Sequence, residues 1–344
     1  MAFDYLVVAT GANPRPAGVQ GEDLEGIFSL RNLADAIRIK TYIQARKVKK
    51  AVIVGAGFVS LEMCEAFRGL NLETTVVYRK ELPMSKMGFE FGRKILAELE
   101  ANGVHFMGNT EVRGFDRTSS GGLVIQTTNG PLETDLVLVA LGVVPEVDLA
   151  KQSGIALGPT GAIAVDDQMR TSVPSIYSAG DCCECFHRIS RKPTYLPLGD
   201  TANKQGRIAG ANIGGQELSF PGVVGSICLK VFGLEVASTG LSPEEAAEVG
   251  LEATSVTVQG SSRARSYPSS GELWLRLVAD AQQARLLGAQ AVGSDGVVAR
   301  INALAVALTG GLGLDQLAYV DLAYAPPFSG AWDPIHIAAQ QLLK

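Results

Sequence analysis

The sequence predicts an α/β protein built from parallel βαβ units and completed by a separate α+β tail. Three observations carry this. An apolar strand at 51–54 runs into a glycine-rich loop, a helix over 58–70 and a second strand at 74–78, a βαβ unit close to the usual ~30 residues. Two further apolar, β-rich runs stop at glycine, at 8–11 and 139–142. After Gly214 and Gly215 the texture changes to longer strands and separate helices.

The elements follow in order. DYLVVAT at 4–10 is a strand closed by Gly11 and a proline-rich turn. Residues 31–48 read as a helix with Leu33, Ile37, Tyr42 and Ile43 near helical spacing. After the βαβ unit comes a helix at 89–102, ended by Gly103 in a C′ position, and then the strand VHFM. EVRGFDR and GLVIQTTNG read as β-ribbons with Gly-Gly and Asn-Gly turns, and DLVLVALG as another buried strand. Residues 143–181 are mixed, and 201–213 form a helix. In the tail, 226–237 and 253–258 are strands, ELWLRLVAD and LLGAQAVG a hairpin, and SPEEAAEVG and 297–308 helices. Ser242 and Glu245 make a capping box for the first of these helices.

Composition bounds the function. The chain has 344 residues, room for two or three domains, and its 39 glycines suit many tight βα turns. A net charge of −5 without a basic block argues against gripping a nucleic acid backbone; the one basic run, 46–50, reads as a solvated helix end. No run of 18 uninterrupted apolar residues suggests a membrane span, and MAFDYLVVATG lacks the basic start of a signal peptide. Five cysteines, three of them clustered, do not make a disulfide framework, so a reducing cytoplasm is the expected setting.

The loop Gly55-x-Gly57-x-x-Ser60 stands between a strand and a helix, the context that gives this motif meaning. Gly55 permits the tight turn, Gly57 lets backbone approach a pyrophosphate, and Ser60 is small enough for close helix–strand packing. Glu62 in the first turn reaches toward the nicotinamide region or simply complements the helix dipole. No acid for a ribose 2′-hydroxyl follows about 20 residues on. The second strand instead ends Val77-Tyr78-Arg79-Lys80. Tyr78 and Arg79 join the candidate dinucleotide set, and Arg79 with Lys80 favours a 2′-phosphate, hence NADPH; the alternative is exposed charge at a strand end.

A second constellation lies further on. TSVPSIYSAGD at 171–181 joins a buried strand to a small-residue turn ending in Asp181, a carboxylate able to accept from a ribityl chain. LGDTAN at 198–203 opens a helix whose free amides suit the electron-rich edge of a flavin.

With FDYLVVATGANPR, IVGAGFVSLE, LVLVALGVVPE, TSVPSIYSAGD, LPLGDTANKQGRIAGANIGG, LKVFGLEVASTGLS and LAYAPPFSGAWDP, the chain resembles the pyridine nucleotide–disulfide oxidoreductase family, in its coenzyme A-disulfide reductase and NADH oxidase-like branch. The resemblance implies an FAD domain at 1–48 and 143–219, interrupted by an NAD(P) domain at 49–142, and an interface domain at 220–344 that builds a homodimer. It places Thr10, Gly11 and Arg15 against FAD, Asp181 on the ribityl chain, and Leu198, Thr201 and Ala202 beside the isoalloxazine. Gly55, Gly57 and Ser60 would hold the NAD(P)H pyrophosphate, and Gly142 would underlie the nicotinamide half. Tyr324 would reach across the dimer to the partner's substrate pocket, or else be an interface-core tyrosine.

The implied activity passes hydride from NAD(P)H to flavin and then electrons to a small-molecule disulfide or to oxygen. The family's FAD glycine-rich loop and redox cysteine would precede Met1, so the flavin domain is expected to be truncated, leaving an unpaired strand edge and the chain alone inactive. None of Cys64, Cys182, Cys183, Cys185 or Cys228 aligns with that cysteine. The alternatives are a nucleotide-binding, dimerising remnant or an incomplete gene model. The cluster Cys182, Cys183, Cys185 and His187 is read as no metal site, His187 as a loop residue, His105 as a strand residue, His336 as an interface residue and Asp200 as a helix cap.

Overall fold

In the computed structural model, which describes residues 2–119 and 121–344, the chain opens with three short strands, β1 (Leu6–Val8), β2 (Ala12–Pro14) and β3 (Ile27–Phe28), and the helix α1 (Leu33–Arg46). A capping box starts α1: the Asn32 side chain accepts from the Asp35 amide and the Asp35 carboxylate accepts from the Asn32 amide. Its buried stripe matches the expected one in part: Tyr42 and Ile43 pack against the core, Leu33 and Ile37 do not. Leu33 and Ile37 are 76% and 55% exposed, Ile39 is buried, and Tyr42 meets Phe28 edge-on at 5.2 Å. The second half of the helix therefore buries the expected Tyr42 and Ile43, while in the first half Asp35 and Ile39 are buried in place of Leu33 and Ile37.

A parallel sheet follows: β4 (Lys50–Val54), α2 (Phe58–Gly69), β5 (Glu73–Val77), a 3-10 turn at Ser85–Met87, α3 (Gly88–Ala101) and β6 (Val104–Met107). A meander then runs through β7 (Val112–Arg117), β8 (Leu123–Thr127) and β9 (Gly130–Thr134) before β10 (Leu136–Val139) returns to the sheet. The expected ribbons are thus one three-stranded unit, with Gly130 (φ 106°) in the β8–β9 turn. The parallel strand order is β3-β10-β4-β5-β6. The period of two divides its side chains. Ile53, Val76, Leu136 and Leu138 face Leu61 and Phe67 of α2 and Phe91 and Ile95 of α3. Val52, Val77, Val137 and Val139 face Phe115 and Ile125 of the meander. Burial on both faces explains the unbroken apolar run.

The chain then returns to its first module through β11 (Val143–Pro145), α4 (Asp148–Gln152), β12 (Ile176–Ser178), β13 (Cys185–His187), β14 (Lys192–Thr194) and α5 (Gly199–Ile213). β12 pairs parallel with β1, and β11 antiparallel with β2. His187 is a buried strand residue, not a loop residue: it pairs with Lys192, and burial pulls its pKa down. Phe3, Tyr5 and Val7 are exposed around β1.

The tail consists of β15 (Ile227–Val231), β16 (Leu234–Gly240), α6 (Pro243–Glu248), β17 (Ala253–Ser261), β18 (Glu272–Asp280), β19 (Leu286–Gly293), α7 (Val297–Gly310), α8 (Leu314–Leu317) and α9 (Pro334–Leu342). Its antiparallel sheet runs β15-β16-β19-β18-β17. The strand expected at 226–237 is a hairpin broken at Phe232, whose φ of 49° turns the chain. The Ser242–Glu245 capping box is present. Helix α9 lies outside the sequence expectation, although Asp333 caps it and Pro334 opens it. One core joins this sheet to the parallel one: Leu229, Val231, Val236 and Val292 pack with Phe67, Phe91 and Ile95. The architecture is mixed α/β, with Rossmann-like nucleotide-binding units and an α+β domain. Among the described residues no helix is long and apolar enough to cross a membrane.

Candidate functional site

Two groups of the predicted residues lie at the C-terminal ends of parallel strands, where open α/β sheets bind ligands. The first lies where β4 sits between β10 and β5. Gly55 donates its amide to Val77 O at 3.0 Å and Ala140 donates to Val54 O at 2.9 Å, so the loop is pinned to both neighbours. Gly55 has φ 117°, and a Cβ there would stand 2.3 Å from the Ala140 carbonyl oxygen, so only glycine fits. Ser60 is fully buried and donates to the same carbonyl at 3.3 Å, so it packs where a third glycine or alanine was expected.

Gly57 is the N-cap of α2 and no side chain caps it. A Cβ on Gly57 would meet nothing within 4 Å, so the first-turn amides face open space. That is the shape and polarity a pyrophosphate requires. Around the rim, Tyr78 is half-buried with its hydroxyl 3.2 Å from Ser85 Oγ. Arg79, Lys80 and Glu62 are exposed, and their side chains make no ion pair among the described residues. Gly142, with φ 91° and open space above it, lies past the end of β10.

The second group is at the ends of β1 and β12. Their register places Val8 opposite Ser178, so Thr10-Gly11 and Gly180-Asp181 leave adjacent strand ends. Ser178 donates to Val8 O at 3.0 Å, which locks the pair. The Asp181 carboxylate is ion-paired with Arg31, which also donates from Nε to Ala12 O at 3.2 Å. Tyr195 donates its hydroxyl to Asp181 O at 2.8 Å, and burial, with Asp181 nearby, pushes that phenol up to about 12.

Gly180 (φ 88°) lies under the first turn of α5, where its Cβ would stand 3.5 Å from Ala202. Its amide donates to the buried Gln205 at 2.9 Å. Leu198 is the N-cap of α5, again without a side-chain cap, and Thr201 is buried just inside. Asp200 is not the cap. It sits in the first turn and pairs with Lys204 at 2.9 Å.

The predicted residues thus gather in two groups, with exceptions. Thr10 spends its hydroxyl on Glu146 O at 2.6 Å. The Arg15 amide donates to Gly142 O at 2.9 Å, linking the two modules, while its side chain lines an open cleft of about 870 Å³ with Phe28, Arg38 and Tyr42. Tyr324 is 54% exposed and makes no hydrogen bond among the described residues; Tyr319, Phe328 and Trp332 are exposed in the same part of the chain. Arg31, Gln205, Tyr195 and Glu146 escaped the sequence reading.

Among the described residues no group of three His, Cys, Asp or Glu side chains is placed to hold a metal ion. Cys182, Cys183 and Cys185 are buried; burial pushes Cys183 up strongly, and burial next to Glu184 pushes Cys185 up to about 12. His336 is a buried residue of the first turn of α9, with Nδ1 accepting from the Asp333 amide at 3.2 Å.

Known proteins share this arrangement. Residues 1–206 match the pyridine nucleotide-disulphide oxidoreductase family, and 227–334 match the dimerisation domain of that family. The chain is 37% identical to the CoA-dependent NAD(P)H sulfur oxidoreductase of Pyrococcus furiosus, over 99% of this chain and 76% of that protein. It is 32% identical to the coenzyme A disulfide reductase of Staphylococcus aureus, over 98% of this chain and 75% of that one. The solved NAD-dependent persulfide reductase from A. fulgidus superposes with a TM-score of 0.96 at 37% identity, over 100% of this chain and 64% of that chain. The chain therefore belongs to the pyridine nucleotide-disulphide oxidoreductase family, whose characteristic cofactors are FAD and NAD(P)H.

Proposed function

We propose that this chain forms the nucleotide-handling and dimerising body of an NAD(P)H-dependent flavoprotein that reduces a sulfur acceptor: a low-molecular-weight disulfide, a polysulfide or a persulfide. The observation that carries this reading is the meeting of Thr10-Gly11 with Gly180-Asp181 at paired strand ends beside the uncapped start of α5. The donor set fits a flavin, with a carboxylate for ribityl hydroxyls, open backbone at Gly11 and free helix amides. FAD, when bound, supplies a two-electron relay between a nicotinamide and the acceptor. The overall balance is NADPH, a proton and a disulfide giving NADP⁺ and two thiols.

The chain's own residues do the rest. The amides after Gly57 take the pyrophosphate, and Arg79 with Lys80 supplies charge for a 2′-phosphate. Asp181, oriented by Arg31, accepts from the ribityl chain, and the α5 N-terminus offsets negative charge at the flavin's pyrimidine edge. Leu198, Thr201 and Ala202 line that edge, and Glu62 and Gly142 flank the nicotinamide half. Tyr324 serves the partner's pocket in a homodimer. The organisation that goes with this is a flavin module of 1–48 and 143–219, a dinucleotide module of 49–142 and an interface module of 220–344. The sulfur-acting relatives support the choice of acceptor.

The test is the visible spectrum of the purified chain, followed by anaerobic NADPH. A yellow protein that bleaches, and is reoxidised by coenzyme A disulfide or polysulfide, supports the reading. A colourless protein that still binds NADPH would mean that these residues alone form a nucleotide-binding, dimerising unit. Reoxidation by oxygen but by no sulfur compound would overturn the acceptor.

A further inference from the structure

We infer that Arg276 and Gln290, both on the dimerisation sheet, are positioning residues for the dinucleotide cradle at 55–60; this rests on the nucleotide-binding reading of that cradle. Neither residue is near the glycine loop in sequence, and neither belongs to the parallel sheet. They act through the segment 79–88, which leaves β5 with Arg79 and Lys80 and ends in the 3-10 turn Ser85–Met87.

Two hydrogen bonds hold that turn against the dimerisation sheet, and a third joins their donors. Gln290, buried in β19, donates Nε2 to Lys86 O at 2.8 Å. Arg276, on β18, donates Nη1 to Met87 O at 3.2 Å and to Gln290 Oε1 at 3.0 Å. Its guanidinium also stacks 4.7 Å from the Phe91 ring centroid and pairs with Glu90 at 3.3 Å. Gly88 is where this approach is tightest, since a Cβ there would stand 2.8 Å from Arg276 Nη1.

The other end of the turn is fastened to the cradle. Met84 donates its amide to Ala56 O at 3.0 Å, and Met87 donates to Met84 O at 2.7 Å. Ala56 is the residue between the two glycines that shape the loop. A continuous path of hydrogen bonds therefore runs from Gln290 and Arg276, through the carbonyls of residues 86 and 87 and the amide of Met84, to the carbonyl of Ala56. A buried donor on Gln290 and a half-buried one on Arg276 fix the turn, and the turn fixes both the floor of the cradle and the segment that carries Arg79 and Lys80. A carbonyl that loses its buried donor is left with an uncompensated polar group, so the turn would shift to find water.

The test is a fluorescence titration of the 344-residue chain with NADPH and with NADH, for the unaltered protein and for Gln290→Glu. This variant keeps an acceptor for Arg276 but removes the donor to Lys86 O. The dissociation constant for NADPH should rise about tenfold and that for NADH by less, while the nucleotide-free unfolding temperature falls by only a few degrees, as for one lost buried hydrogen bond. Arg276→Lys, which keeps the charge but gives up the two-carbonyl fork, should show the same order of effects and stands in if Gln290→Glu does not fold. Unchanged dissociation constants in a folded variant overturn the inference. Absence of binding to the unaltered chain would bring down the cradle reading itself, and the inference with it.

Discussion

Arg31 grips the carboxylate of Asp181 across 150 positions of sequence, where β12 stops beside β1. The same arginine holds Ala12 O, so one side chain ties both strand exits together. Asp181 is 11% exposed in its side chain and Arg31 37%, so the pair is partly screened. Replacing Arg31 by Met should therefore lower stability by only about 1 kcal/mol. The larger expected effect is on flavin retention, because Asp181 loses its orientation. Thermal melting and the flavin-to-protein absorbance ratio measure the two separately; full flavin content in Arg31→Met would remove Arg31 from the site.

The two glycines of the cradle should respond oppositely. Gly55→Ala places a Cβ 2.3 Å from Ala140 O at a φ of 117°, so it should cost about 1–3 kcal/mol of stability. Gly57→Val projects into open space and should leave the melting temperature nearly unchanged while abolishing NAD(P)H binding. A folded Gly57→Val that binds NADPH normally would place the pyrophosphate elsewhere.

Arg79 is exposed and without an ion-pair partner among the described residues, so its charge is available to a ligand. Arg79→Glu should shift preference from NADPH toward NADH by about tenfold or more, the worth of one charge-assisted contact reversed in sign. Equal affinities for both coenzymes before and after the change would leave the 2′-phosphate without its proposed partner.

Thiol chemistry should be restricted to one position at neutral pH. Cys228 is exposed, whereas Cys64, Cys182, Cys183 and Cys185 are buried. A thiol reagent should therefore label one cysteine in the native chain and five after denaturation, as peptide mapping can verify. Burial also raises the thiols of Cys64 and Cys185 from 9.0 to about 12. The unfolded chain gives up those protons first, so unfolding releases protons in this range and stability falls as pH climbs from 9 toward 12. Denaturant midpoints that rise across that window would contradict the sign.

Local chemistry made much of this molecule readable. Gly55, Gly57 and Ser60 declare themselves because a strand, a turn and a helix are contiguous, and Ser242 and Glu245 because a capping box spans four residues. What escaped depends on partners remote in sequence. Glu146 meets Thr10 over 136 positions, and Arg31 meets Asp181 over 150. The inward side of the first half of α1 also escaped: Tyr42 and Ile43 pack inward as their spacing predicts, but only the tertiary setting puts Ile39 inward in place of Leu33 and Ile37. Helix α9 was missed although Asp333-Pro334 is a legitimate start signal, since it lies in a segment read for its resemblance and not for its periodicity.

The core that runs from Phe67 and Phe91 to Leu229, Val231, Val236 and Val292 has a consequence for recombination. A chimera that exchanged the tail between relatives at residue 220 would pair unmatched halves of that core. Residues 49–142 and 220–344, although separated along the chain, make up a single heritable block, and a graft that respects it must move both stretches and leave the intervening segment to its original owner.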